Sequence, residues 1–297
     1  MTKENFLDRE FMQQLEQLSL VSRKVFRGLL KGERLGKKKG ISVEFADYRD
    51  YVPGDDLRFL DWNIYGRLER LFLKLFQEEE DLNVFFLVDC SKSMDYGKPS
   101  KLDYCKKIIA ALGYIALVNL DRVAVGGFSN DLDYFFPLCR GKNSAWHFFQ
   151  FLEELPVAKA GNITDLYCAC RSFSLKFKGS SMVIVLSDFM DRAGFDKSLA
   201  LLTGGRRDVF VFNILSHEEM YPSLAGDLKL MDLETGEDME VSISARLLTQ
   251  YQSVLKGYLQ SLQQWCLKHN VLYLQATNQE AFENLVLRYL RHVGMLR

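Results

Sequence analysis

The sequence predicts an α/β chain, a three-layer sandwich in which helices cover both faces of a mostly parallel sheet. Three observations lead there. From residue 82 onward, short apolar runs alternate with longer segments of helical period, the rhythm of β-α-β units. Several of the runs are nearly continuous and rich in β-branched and aromatic residues, as in strands buried on both faces. The 297 residues are 48% hydrophobic and 26% charged, a globular composition able to bury a large core.

Taken in order, residues 4–31 read as a helix. Leu7, Phe11, Leu15, Leu18, Val25 and Leu29 recur at three-, four- and seven-residue spacings, which places them on one side. KGERLGKKKG (31–40) is a Gly/Lys linker, read as a solvated loop, with a phosphate-binding patch as the alternative. The stretch 41–63 mixes β-prone residues with Pro-Gly-Asp punctuation, and LFLKLFQEEE (71–80) reads as a strand ending in acids. Residues 1–81 therefore form a helix and a β-rich extension, and 82–297 the α/β domain. Within that domain the expected strands are 83–88, 122–128, 181–187, 208–215 and 271–276. DLDYFFPL (131–138) adds an antiparallel hairpin beside the second of these. The expected helices are 100–119, 144–155, 163–177, 194–203, 246–268 and 280–292. Residues 225–243 break the rhythm and read as two short strands around Glu-Thr-Gly-Glu, a small β insertion.

Net charge is −1, so nothing global points to nucleic acid or an anionic membrane. A basic patch of Lys37, Lys38 and Lys39 with Arg206 and Arg207 is the only feature in favour of nucleic acid. The N-terminus lacks the apolar core of a signal peptide. The longest apolar run, IIAALGYIALVNL (108–120), is shorter than the roughly 18–20 residues of a membrane span and reads as a buried helix. The six cysteines match no CxxC pair or zinc set and read as reduced thiols in a cytoplasmic protein.

The chemistry gathers at LVDCSKSMD (87–95). Asp89, Ser91 and Ser93 lie just past one buried strand, and Asp188 just past another. Thr164 and Asp165 open a helix between them. In an open parallel sheet, ligands bind beyond the carboxyl ends of the strands. Three loops thus bring hydroxyls and carboxylates to one edge, a donor set suited to a hard cation such as Mg²⁺. Each residue alone also fits a bland role: Asp89 and the serines in a turn, Thr164 or Asp165 as a helix cap. Their joint placement is what favours a metal site with an open coordination position.

Asp89-Cys90-Ser91-Lys92-Ser93 resembles the DxSxS signature of von Willebrand factor A-type domains. Asp188 and Thr164 fall where that family carries its remaining metal-site residues. The resemblance implies a Rossmann-like sandwich and a metal-ion-dependent adhesion site. It implies that Ser91, Ser93 and Thr164 give direct oxygens, that Asp89 and Asp188 act through water, and that a partner's acidic side chain completes the shell. The metal would be Mg²⁺, with Mn²⁺ or Ca²⁺ as alternatives. EFADYRDYVPGDDLRFLDWNIYGR (44–67) further resembles the bacterial family known as domain of unknown function 58. That likeness implies association with a MoxR-type AAA+ ATPase, as an assembly adaptor.

The polar residues of that stretch, Asp47, Arg49, Asp50, Asp55, Asp56, Arg58, Asp61 and Arg67, alternate acids with arginines. They form either a structural ion-pair network or a docking surface. For an enzyme, the signs are weak. His147, His217, His269 and His292 lie in different elements with no nucleophile–base pattern, and no GxSxG elbow or P-loop occurs. A phosphohydrolase using Asp89 as nucleophile would want an acid at position 91. The expectation is a binding module that is not an enzyme, with a metal-dependent phosphohydrolase or a nucleic-acid-associated protein as alternatives.

Overall fold

The computed structural model describes residues 43–53, 57, 60–78, 82–158, 164–191, 193–204, 207–224, 226–231, 238–281 and 285. The expected helix over 4–31, the linker and nearly all of the helix over 280–292 lie outside these residues. The chain divides into two compact units, with the boundary between Asp81 and Leu82.

In the first unit, β1 (Val43–Asp50) pairs antiparallel with β2 (Phe72–Glu78), with an irregularity in register between Phe45 and Asp47. Between them, residues 62–68 depart from the β-rich expectation and form a helix, α1 (Trp62–Leu68). Asp61 is the cause. Its Oδ1 accepts hydrogen bonds from the backbone N–H groups of Asn63 (2.9 Å) and Ile64 (3.2 Å), while the Tyr48 hydroxyl donates to Oδ2 at 3.1 Å. A buried carboxylate that satisfies two orphan donors nucleates the turn. Of the interleaved acids and arginines, Asp61 therefore has a structural role. Asp55, Asp56 and Arg58 lie outside the described residues.

The second unit is built on a six-stranded sheet. Its strands are β3 (Asn83–Asp89), β4 (Arg122–Phe128), β5 (Leu132–Arg140), β6 (Ser181–Ser187), β7 (Arg207–Leu215) and β10 (Leu272–Thr277). Their order is β10-β7-β6-β3-β4-β5, and all pairings are parallel except β4 with β5. This is the mostly parallel sheet the sequence predicts, and each expected strand is present. β5 runs through Pro137, which a strand tolerates only at an edge or bulge, and β5 is the edge.

Helices cover both faces. α2 (Lys101–Val118) packs on β3, β4 and β7, with α3 (Ala145–Glu154) beside it. α2 is buried almost all round, which explains the unbroken apolar run at 108–117. At Gly113 a Cβ would lie 2.4 Å from Cζ of Phe148, so α2 and α3 approach through that glycine. On the opposite face α4 (Leu166–Lys176), α5 (Asp196–Thr203) and α7 (Ala245–Lys268) close a core of Phe85, Leu87, Phe173, Val183, Val185, Leu199, Val211 and Leu262. Odd-numbered residues of β3 enter this core, and alternation turns Val84, Phe86 and Val88, all fully buried, toward α2. A short helix, α6 (His217–Met220), follows β7. β8 (Gly226–Met231) and β9 (Asp238–Ile243) form the expected two-stranded insertion. No described helix is long and apolar enough to cross a membrane.

The chain advances from β3 through β4 to β5 on one side, then returns to place β6, β7 and β10 on the other. β3 and β6 therefore flank the point where strand order reverses. A crevice opens at such a point beyond the carboxyl ends of the strands.

Candidate functional site

Asp89 ends β3, and Asp188 follows β6 directly. Both are buried, at 1% and 4% exposure. The loop after β3 is tied down at its first residue, where the Cys90 N–H donates to the Phe128 carbonyl at 2.7 Å. It then tightens into a 3-10 turn over Lys92–Asp95. The turn sets Ser91 and Ser93 side by side, with their Oγ atoms 2.9 Å apart.

Hydrogen bonds join four of the five expected residues. The Ser91 N–H donates to Asp89 Oδ1 at 2.9 Å, and the Ser93 hydroxyl donates to Asp188 Oδ2 at 3.2 Å. Asp165 and Leu166, which follow Thr164, are tied to the same rim. The Asp165 N–H donates to the carbonyl of Ser129, just past β4, at 2.8 Å. The next N–H, of Leu166, donates to Asp191 Oδ2 at 3.0 Å in the loop after β6. Asp165 takes the bland role: its carboxylate caps α4 by accepting from the Cys168 N–H at 2.8 Å. Gly161, Asn162 and Ile163 lie outside the described residues.

Three further side chains complete the arrangement, none of them expected from the sequence. The Ser187 hydroxyl donates to Asp89 Oδ2 at 2.7 Å and accepts from the Phe189 N–H at 2.9 Å. Lys101, at the start of α2 and fully buried, places Nζ 2.7 Å from Asp188 Oδ2 and 2.7 Å from Glu219 Oε1. Glu219 is itself held by a capping box on α6, where the Ser216 N–H donates to its Oε2 at 2.7 Å. Two of the three had a local signal. Ser216-x-x-Glu219 is a readable capping box, and a lysine in a helix's first turn opposes the macrodipole, which hints at a local anion.

The loop after β6 is strained where it aims Asp188. Phe189 has φ of 56°, in the left-handed region that bulky residues avoid. It is buried, and its carbonyl accepts a hydrogen bond from the Tyr258 hydroxyl. Non-glycine residues persist there only when their surroundings over-determine them, and such outliers cluster at functional sites.

The electrostatics follow from two carboxylates brought together inside the protein. Burial, and then the negative charge of Asp188, push the Asp89 pKa up to about 7, against the hydrogen bonds from Ser91 and Ser187. For Lys101, burial alone would lower the pKa. Attraction to Asp188 and Glu219 outweighs it, and the ammonium is held charged well above its ordinary range. Such a pair of carboxylates favours positive charge nearby. The surrounding donors are hydroxyl and carboxylate oxygens, which fit a hard divalent ion. Among the described residues no cluster of three or more His, Cys, Asp or Glu could hold a metal, so a cation here would depend on the serine hydroxyls.

A family model described as "Protein of unknown function DUF58" matches residues 47–257. Uncharacterized proteins from Mycobacterium bovis and Mycobacterium tuberculosis are each 25% identical over 235 residues, covering 78% of this chain and 74% of theirs. Among solved structures, the chain is similar to the conserved hypothetical protein BatB from Bacteroides thetaiotaomicron, with a TM-score of 0.44 and 14% identity, covering 72% of this chain and all of that one. It is also similar to the VWA domain of SpRpn10, with a TM-score of 0.42 and 9% identity, covering 73% of this chain and 99% of that one.

Proposed function

This chain belongs to the family described as protein of unknown function DUF58, and from that premise we propose that it is a metal-dependent protein-interaction module acting in the cytoplasm. Mg²⁺, or Mn²⁺ or Ca²⁺ in its place, would be held by Ser91, Ser93 and Thr164, with Asp89 and Asp188 behind them. When bound, the ion supplies an electrophilic position for a carboxylate of the partner. The observation that carries the reading is the paired serine hydroxyls, 2.9 Å apart, at the reversal point of the sheet, with the Ser93 hydroxyl donating to buried Asp188 and the Ser91 backbone N–H to buried Asp89.

The chain's own residues prepare such a site. Ser187 and the Ser91 N–H hold Asp89 at both oxygens, so its carboxylate is fixed in place behind the serines. Four of the six cysteines are buried free thiols, in keeping with a reducing compartment. The proposed partner is a MoxR-type AAA+ ATPase offering an acidic residue.

The test is capture of a purified MoxR-type ATPase by the immobilised chain. Retention in Mg²⁺, lost on chelation and lost in Ser93→Ala, is the expected result. Retention indifferent to metal contradicts the metal-dependent reading, and no retention under any condition contradicts the partner.

A further inference from the structure

Lys101 is an uncommon neighbour for a site that would take a divalent cation. Its side chain is fully buried, and its ammonium sits on Asp188 Oδ2, the same oxygen that accepts from Ser93. The other oxygen, Oδ1, accepts from the Met190 N–H at 3.0 Å. The Lys101 ammonium is thus fixed one carboxylate away from the serine pair. Its second partner, Glu219, lies on α6, 118 residues on in the chain, and its side chain is 25% exposed. Glu219 is anchored at Oε2 by the Ser216 backbone, so Oε1 is presented to Lys101 as a fixed acceptor.

Fixed charges at this range act strongly, because low local dielectric leaves them poorly screened. An ammonium against Asp188 offsets part of the carboxylates' charge when no metal is present and repels a cation that approaches the serines. A carboxylate on the far side of the ammonium offsets that repulsion and gives Lys101 an alternative partner.

We infer that Lys101 is a built-in counter-cation that weakens divalent binding at the serine–aspartate site, and that Glu219 opposes it. The pair holds metal affinity low, so the ion is retained firmly only when a partner's carboxylate adds its charge. The inference rests on the proposed metal reading and names two positioning residues for it.

The test is calorimetric titration of Mg²⁺ and Mn²⁺ into the metal-free parent, Lys101→Met and Glu219→Gln, with thermal melts of each with and without metal. Lys101→Met is expected to bind about tenfold tighter or more, a gain of at least ~1.4 kcal/mol, and to melt lower without metal but recover when metal is added. Glu219→Gln is expected to bind severalfold weaker. A lysine of purely structural importance would give weaker binding on removal, so the sign of the Lys101→Met effect is decisive. Metal binding in Lys101→Met but not in the parent also supports the inference. Binding in the parent that is unchanged or weakened in folded Lys101→Met overturns it and leaves the metal reading standing. No binding in any of the three overturns both. Should Lys101→Met not fold, Glu219→Gln decides alone: unchanged or tighter binding overturns the inference.

Discussion

At the scale of single residues, Ser187 shows how a modest side chain supports the site. Its hydroxyl satisfies a buried carboxylate oxygen of Asp89 and the N–H of the strained Phe189 at once. Ser187→Ala leaves both without that partner, and a buried polar group so orphaned costs about 1–3 kcal/mol. Denaturant unfolding of metal-free protein should show a loss of that order; unchanged stability would mean that water or a neighbour replaces the hydroxyl. Titration gives a second residue-scale prediction. Burial raises Tyr273 and Cys266 each to about 12, from ordinary values of 10.0 and 9.0. A folded-state pKa above the unfolded one contributes stability that is whole below the unfolded value and is lost as pH rises through the folded one. Stability should therefore fall between about pH 9 and 12, and Tyr273→Phe should make the fall shallower, as read from melting temperature against pH.

At the scale of elements, local capping decides what the chain does between strands. α6 has only four residues and would not hold by propensity alone, yet its capping box is complete, with the Glu219 N–H donating to Ser216 Oγ at 3.0 Å. Ser216→Ala should cost about 1 kcal/mol and loosen Glu219, measured as faster amide exchange in 217–220; unchanged exchange there would show that tertiary contacts, not the cap, hold the turn. The same logic explains what was hard to read. α1 and α6 are short, and their caps, Asp61 and Ser216, lie among several other polar residues in the sequence. The long α2 was legible because it is apolar all round, and β3, β6 and β7 because their runs are nearly unbroken.

At the scale of the whole molecule, the site follows from sheet order. Only the return of the chain to place β6 beside β3 puts Asp188 near Asp89, 99 residues away. Asp89, Ser91, Ser93 and Asp188 could be placed at one edge from sequence because a strand's carboxyl end can be read residue by residue. Lys101 and Glu219 could not, because their partners lie across that edge, 87 and 118 residues distant, and no local period records such pairs. The polar stretch of the first unit was half legible for a similar reason: Asp61 is a cap, which its neighbours' composition does not distinguish from an ion pair.

In the proposed function these oxygens hold a divalent cation. The most direct measurement is titration of Mn²⁺ into metal-free protein, beside a Ser91→Ala, Ser93→Ala variant shown by its melting curve to be folded. Saturable one-to-one binding in the parent, lost in the variant, is the predicted result. Equal binding in both would place the metal elsewhere and contradict the account.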